Sequence, residues 1–159
     1  MSASELWTPE QLGADERELV LAAREASQRA YCRYSGYAVG AAVRAEDGRV
    51  FSGCNVENAS YGLTVCAERV AIFRWVIDGR RGAIEAIAVA AGPKDSPPTG
   101  GRPCGACLQV LREFSIDPKI FIVEGERVVE TCLSALLPDP FVPPFGPCSR
   151  VATERSDAG

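Results

Sequence analysis

Residues 84–91, Ile-Glu-Ala-Ile-Ala-Val-Ala-Ala, constrain the fold more than any other stretch of the chain. The run is apolar apart from Glu85 and lacks the alternation of a strand with one wet face. It reads as a strand covered on both faces, which points to a layered α/β domain. Residues 15–30 predict a helix, with Leu19, Val20, Ala22, Ala23, Ala26 and Ala30 as one apolar stripe. Residues 39–44 and 49–54 are strand-like, and Asp47-Gly48 lies between them as a hairpin turn. Residues 55–63 read as a polar loop. A second helix is predicted over 65–78, with Thr64 as N-cap and Gly79 as the stop. Its buried face would carry Val65, Val70, Ile72, Phe73, Val76 and Ile77.

A Pro/Gly loop over 92–103 leads into a helix over 105–114, with Leu108, Leu111 and Phe114 inward. Strands at 119–123 and 127–131 flank Glu124-Gly125, and a helical turn over 133–137 is stopped by Pro138. The segment 84–91, helix 105–114 and strand 119–123 predict a right-handed βαβ crossover. The sheet is therefore mixed. One domain is expected over 15–141, with a loose arm at 1–14 and a Pro-rich tail at 142–159.

The 159 residues suffice for one full core, and 47% hydrophobic with 24% charged residues is the balance of a globular protein. No apolar run approaches the roughly 18 residues that span a bilayer, so no membrane partner is expected. The start, MSASELWTPE, is acidic where a leader would be basic, and a cytoplasmic location is expected. The net charge is -4, and 15 Arg and 2 Lys are scattered without a block. That argues against nucleic acid as a partner.

Seven Cys and no His narrow the chemistry. An odd thiol count in a reducing compartment favours metal or catalytic roles over a disulfide framework. Without His, acid/base work falls to Glu or Asp, and a metal must be held by thiolate or carboxylate. The candidates concentrate in Cys66-Ala67-Glu68 and Pro103-Cys104-Gly105-Ala106-Cys107, each at a predicted helix start. Cys104 and Cys107 can grip one tetrahedral ion from a single helical turn. Cys66 as third ligand leaves the fourth position open, the pattern of a catalytic rather than a structural zinc site. Glu68, too close to Cys66 to favour the same ion, can face a bound water and move protons. Helix N-termini lower thiol pKa values, and Arg69 could add a positive charge beside the thiolates.

At these residues the chain resembles the cytidine deaminase family, of the short homotetrameric type. The resemblance extends to Tyr34-Ser35-Gly36-Tyr37-Ala38-Val39-Gly40-Ala41-Ala42, to Gly53-Cys54-Asn55-Val56-Glu57-Asn58-Ala59-Ser60-Tyr61 and to Leu136-Leu137-Pro138-Asp139-Pro140-Phe141. It covers roughly residues 15–141 in order. It implies a three-layer α-β-α sandwich on a mixed, mostly five-stranded sheet. It also implies zinc on Cys66, Cys104 and Cys107, with Glu68 as the acid/base that converts cytidine and deoxycytidine to uridine and deoxyuridine in pyrimidine salvage. By the same resemblance Asn55 and Glu57 would hold the ribose, Tyr37 would lie against the base and Ala67 would present a backbone group to it. Tyr61 would join the substrate-binding set, Arg69 would support the thiolates, and Phe141 would reach a neighbouring subunit's pocket. The family's usual Phe, Ser and Arg are replaced here by Tyr37, Arg102 and Leu108. A cytosine-containing antibiotic is the alternative substrate.

Plainer readings stand beside these. A lone Cys-x-x-Cys is often a redox pair or half of a structural zinc site. Cys54 could be a fourth ligand, although a small buried residue is favoured there. Cys32, Cys132 and Cys148 read as packing thiols. Taken singly, Glu57 is a solvated acid, Tyr37 and Phe141 are ordinary aromatics, and Arg69 is a surface charge.

Overall fold

The computed structural model describes residues 5–8 and 10–142. Six strands form one sheet in the order β1-β6-β5-β4-β2-β3. The strands are β1 (Glu5–Trp7), β2 (Tyr37–Ala45), β3 (Val50–Cys54), β4 (Ile84–Pro93), β5 (Lys119–Glu124) and β6 (Arg127–Cys132). Only β4 and β5 run parallel, and helix α3 (Gly105–Phe114) connects them. The other pairs are antiparallel. The sheet is mixed, as expected, with one strand more than the five predicted.

The central strand is buried on both faces, for the reason its composition announced. Ala86, Ala88 and Ala90 of β4 face α1 (Ala14–Gln28), together with Leu19, Val20, Ala23, Phe121 and Val123. Ile87, Val89 and Ala91 face the opposite layer, with Ala71, Ile72, Trp75, Leu108 and Leu111. That layer holds α2 (Ala67–Ile77), α3 and the short α4 (Leu133–Leu136). The result is the three-layer sandwich. Alternate side chains of one strand serve two cores because strand side chains point to opposite faces.

Two expectations are corrected. The arm is not loose throughout, because residues 5–7 pair with β6 as an edge strand, in the register Leu6↔Val129 and Trp7↔Val128. Three residues are too few to show a period, and the strand exists because β6 offers it an open edge. The second helix starts at Ala67, not Val65, and its N-cap is Cys66. Val65 exchanges two backbone hydrogen bonds with Val56, both 3.0 Å, which hold it extended. Thr64 is therefore not the cap, while Gly79 does follow the helix end and its N–H donates to the Val76 carbonyl at 3.1 Å.

The buried face of α2 also differs. Ala67, Glu68, Ala71, Ile72 and Trp75 are inside, whereas Ile77 is 85% exposed and Phe73 and Val76 are partly exposed. Apolar residues surround this helix, so periodicity alone does not choose a face. Close approach does. A Cβ on Gly53 of β3 would meet the Ala71 nitrogen at 2.5 Å and the Ala67 oxygen at 2.7 Å. Only glycine there lets the helix backbone lie directly on the strand, which turns Glu68 inward. Trp75 fills the space beyond, edge-on to Phe114 with ring centroids 5.4 Å apart.

Candidate active site

Two helix starts meet on the α2/α3 face. Cys66 caps α2 and Cys104 caps α3, both with extended backbone, and neither side chain is used as a hydrogen-bonding cap. Their Sγ atoms are thus free to point into the gap between the helices. Cys107, one turn into α3, joins them, and the three Sγ atoms lie within 4.8 Å of one another. Cys104 and Cys107 are 3.4 Å apart, sulfur to sulfur. Among the described residues this is the one cluster of three or more groups able to hold a metal.

The cluster fits zinc on its own chemistry. Tetrahedral zinc with bonds of about 2.3 Å spaces its sulfurs about 3.8 Å apart, which matches this cradle. Burial pushes the Cys107 thiol far up, and the nearby negative charge of Glu68 adds to that. Burial also raises Cys104, but hydrogen bonds from the Cys107 backbone and from the Cys107 and Cys66 thiols carry it below the usual thiol range. Three thiols gathered this closely, one of them deep in the core, are the donor set a dication satisfies. Cys54 stays apart, with its Sγ 3.4 Å from the Arg29 carbonyl oxygen and packed beside Ala30, Cys32 and Ala38. Cys148 lies outside the described residues.

Glu68 stands in the first turn of α2, is 4% exposed and touches Cys107. Burial pushes its carboxyl above the usual carboxylate range, against hydrogen bonds from its own backbone and from Cys107. Arg69 reaches back along the helix. Its Nη2 lies 3.6 Å from the Cys66 Sγ and donates to the Thr64 carbonyl at 3.4 Å. Leu108 is buried in the core between sheet and helices, and Arg102 is exposed.

Asn55 and Glu57 are buried, and both are tied to the segment 34–39. The Asn55 Oδ1 accepts from Val39 N–H at 2.8 Å, and its Nδ2 donates to the Tyr37 carbonyl at 3.0 Å. Glu57 accepts from Tyr34 N–H at 2.8 Å, Ser35 N–H at 3.3 Å and the Ser35 hydroxyl at 2.5 Å. The Ser35 hydroxyl, then burial working the other way, then the two amides set the Glu57 carboxyl below the usual carboxylate range. The Tyr37 hydroxyl lies over Gly101, where a Cβ would meet it at 2.9 Å and Ala91 at 2.6 Å. Ala67 is fully buried in the first turn of α2. Tyr61 is exposed, in a single 3-10 turn, with its ring 6.2 Å from that of Tyr34.

Phe141 is 71% exposed, yet its backbone is held. Gln109 of α3 donates to its carbonyl at 2.9 Å and accepts its N–H at 3.0 Å. Sequence reasoning missed Ser35, Gln109 and Gly101. Ser35 lay in plain view beside Tyr34, but its partner is 22 residues away. Gln109 has no local signal at all, since its partner is a backbone 32 residues on.

The sequence matches the family described as the cytidine and deoxycytidylate deaminase zinc-binding region, over residues 14–123. The chain belongs to this deaminase family. It is 45% identical over 130 residues to a cytidine deaminase of Halalkalibacterium halodurans, covering 80% of this chain and 94% of the relative. A cytidine deaminase of Sporosarcina psychrophila is 42% identical, with 80% and 91% covered. Among solved structures, the cytidine deaminase from Burkholderia pseudomallei aligns with a TM-score of 0.70 at 43% identity, over 78% of this chain and 97% of that one. The sheet and helices described above are the fold this deaminase family shares.

Proposed function

We propose that this chain is a zinc-dependent cytidine deaminase that hydrolyses cytidine and deoxycytidine to uridine and deoxyuridine. The observation that carries this is the convergence of Cys66, Cys104 and Cys107 beside a buried Glu68, in a chain of this deaminase family. The identity to cytidine deaminases over most of the chain favours cytidine over a cytosine-containing antibiotic.

Cys66, Cys104 and Cys107 would hold the zinc, which when bound supplies Lewis acidity and brings the pKa of a water down to about 7. Glu68 then carries the protons. Its raised pKa suits a group that accepts a proton and returns it to the pyrimidine ring and to departing ammonia. Arg69 draws charge from the Cys66 sulfur, which offsets three strongly donating thiolates. Glu57 and Asn55 grip the sugar hydroxyls, one as an acceptor and the other as both donor and acceptor. Tyr37 walls the base, Ala67 offers it backbone, and Tyr61 joins them in binding the substrate. Phe141 completes a neighbouring subunit's pocket in a homotetramer. The apolar side chains left exposed on α2, Phe73, Val76 and Ile77, support such an assembly. Among the described residues no helix is long and apolar enough to cross a membrane. A role in pyrimidine salvage in the cytoplasm accords with these readings.

A panel of cytidine, deoxycytidine, cytosine and bulkier cytosine nucleosides tests the substrate. Turnover of the first two with ammonia release is expected, and free cytosine should be a poor substrate. Turnover of the bulky nucleosides alone would overturn the assignment.

A further inference from the structure

A chain of hydrogen bonds runs from Glu57 through Ser35 and Tyr37 to Asn55 and Val39. Glu57 is 7% exposed. A carboxylate offers about four lone-pair positions, and three are occupied by Tyr34 N–H, Ser35 N–H and the Ser35 hydroxyl. The Ser35 hydroxyl has one proton, spent on Glu57 Oε1 at 2.5 Å, and its oxygen accepts Tyr37 N–H at 3.0 Å. The Tyr37 carbonyl then receives Asn55 Nδ2, and Asn55 Oδ1 receives Val39 N–H. The two backbone amides hold Glu57 to the turn at 34–35. Within this chain of hydrogen bonds, the Ser35 hydroxyl alone joins Glu57 to Tyr37.

We propose that Ser35 is a positioning residue for nucleoside recognition. Its hydroxyl locks the carboxylate of Glu57 to the backbone of Tyr37, so that sugar and base are gripped at one fixed spacing. This rests on the reading of Glu57 as the ribose acceptor and goes beyond it. With three positions filled, one lone pair of Glu57 is left to receive a sugar hydroxyl, and the direction of that lone pair is set by the hydrogen bond from Ser35. Without it the carboxylate can turn about its side chain while the amides still hold one oxygen. The sugar site would then survive but lose its aim. Ser35 is exposed and contributes nothing to the core, so its hydroxyl can be removed without opening a cavity.

The test compares Ser35→Ala, Ser35→Thr and Glu57→Ala on cytidine and on 2′,3′-dideoxycytidine, which lacks the 2′- and 3′-hydroxyls and keeps only the 5′-hydroxyl. A hydrogen bond to a charged group corresponds to about a ten- to hundredfold effect. Ser35→Ala should raise KM for cytidine by that factor, with kcat within about twofold, and change KM for the dideoxy substrate far less. Ser35→Thr, which keeps the hydroxyl, should recover most of the loss. If Glu57→Ala separates the two substrates and Ser35→Ala does not, the ribose reading stands and the positioning role is overturned. If Glu57→Ala treats both substrates alike, the ribose reading falls and the positioning role falls with it. Equal KM increases on both substrates in Ser35→Ala, or no recovery in Ser35→Thr, would also overturn it.

Discussion

Glu68 shows how much a single residue depends on its surroundings. A carboxylate in the first turn of a helix is ordinary, since the helix dipole favours acid there. At 4% exposure beside Cys107 it is not ordinary, because burial disfavours its charge and makes it ready to hold a proton. Glu68→Gln preserves size and removes only the proton-carrying function. The variant should fold and bind metal like the parent but lose turnover. Positioned acid/base groups contribute about 10²- to 10⁴-fold, and a residue handling several protons per cycle should lie at or above that range. Steady-state assay alongside metal analysis checks this, and near-parental turnover would remove Glu68 from the mechanism. The identity of this acid was legible in the triplet Cys66-Ala67-Glu68. Its burial was not, because that depends on Gly53 of a different element letting the helix lie close.

The unit at the next scale is the helix start. α2 and α3 each begin at a cysteine whose side chain makes no cap hydrogen bond, and the sheet brings the two starts together. One zinc per chain is the expected metal content of purified protein. Cys104→Ala should lose zinc and activity together, while Cys54→Ala should keep both, because its sulfur is turned toward Arg29. The reverse result would reassign the ligands. α3 also carries Gln109, which grips the Phe141 backbone by both its groups. Gln109→Leu removes donor and acceptor at similar volume. It should raise KM for cytidine much as Phe141→Ala does, and the double variant should be little worse than either single one, as expected for residues acting as a unit. Additive losses would show that the two act separately.

Across the whole molecule, the layered domain leaves several large apolar side chains outside its own core. Phe73, Val76 and Ile77 of α2, with Phe141 beyond α4, stay exposed in the single chain. Where such exposed apolar side chains gather into a patch, they commonly mark an association surface. Sedimentation at assay concentration should find a homotetramer, and Phe73→Glu should shift it toward smaller, less active species. A fully active monomer would contradict the placing of Phe141 in a neighbour's pocket.

The sequence by itself determined the layered α/β class, through one central apolar strand and helical stripes on either side of it. It also narrowed the chemistry to thiols and carboxylates, because a chain with seven Cys and no His offers few other reactive groups, while the reaction itself came from the likeness to the deaminase family. These are local signals, written in composition and short spacing. Only the tertiary structure decided which face of α2 is buried, that the N-terminal arm supplies a sixth strand, and that Cys66 rather than Thr64 caps the helix. Each of these follows from a partner far away in the chain. Gly53 admits the helix backbone, β6 offers an edge to residues 5–7, and Val56 holds Val65 extended. The hydrogen bonds of Ser35 and Gln109 belong with them. A side chain's partner across 22 or 32 residues leaves no trace in local periodicity, because folding, not sequence spacing, sets that distance.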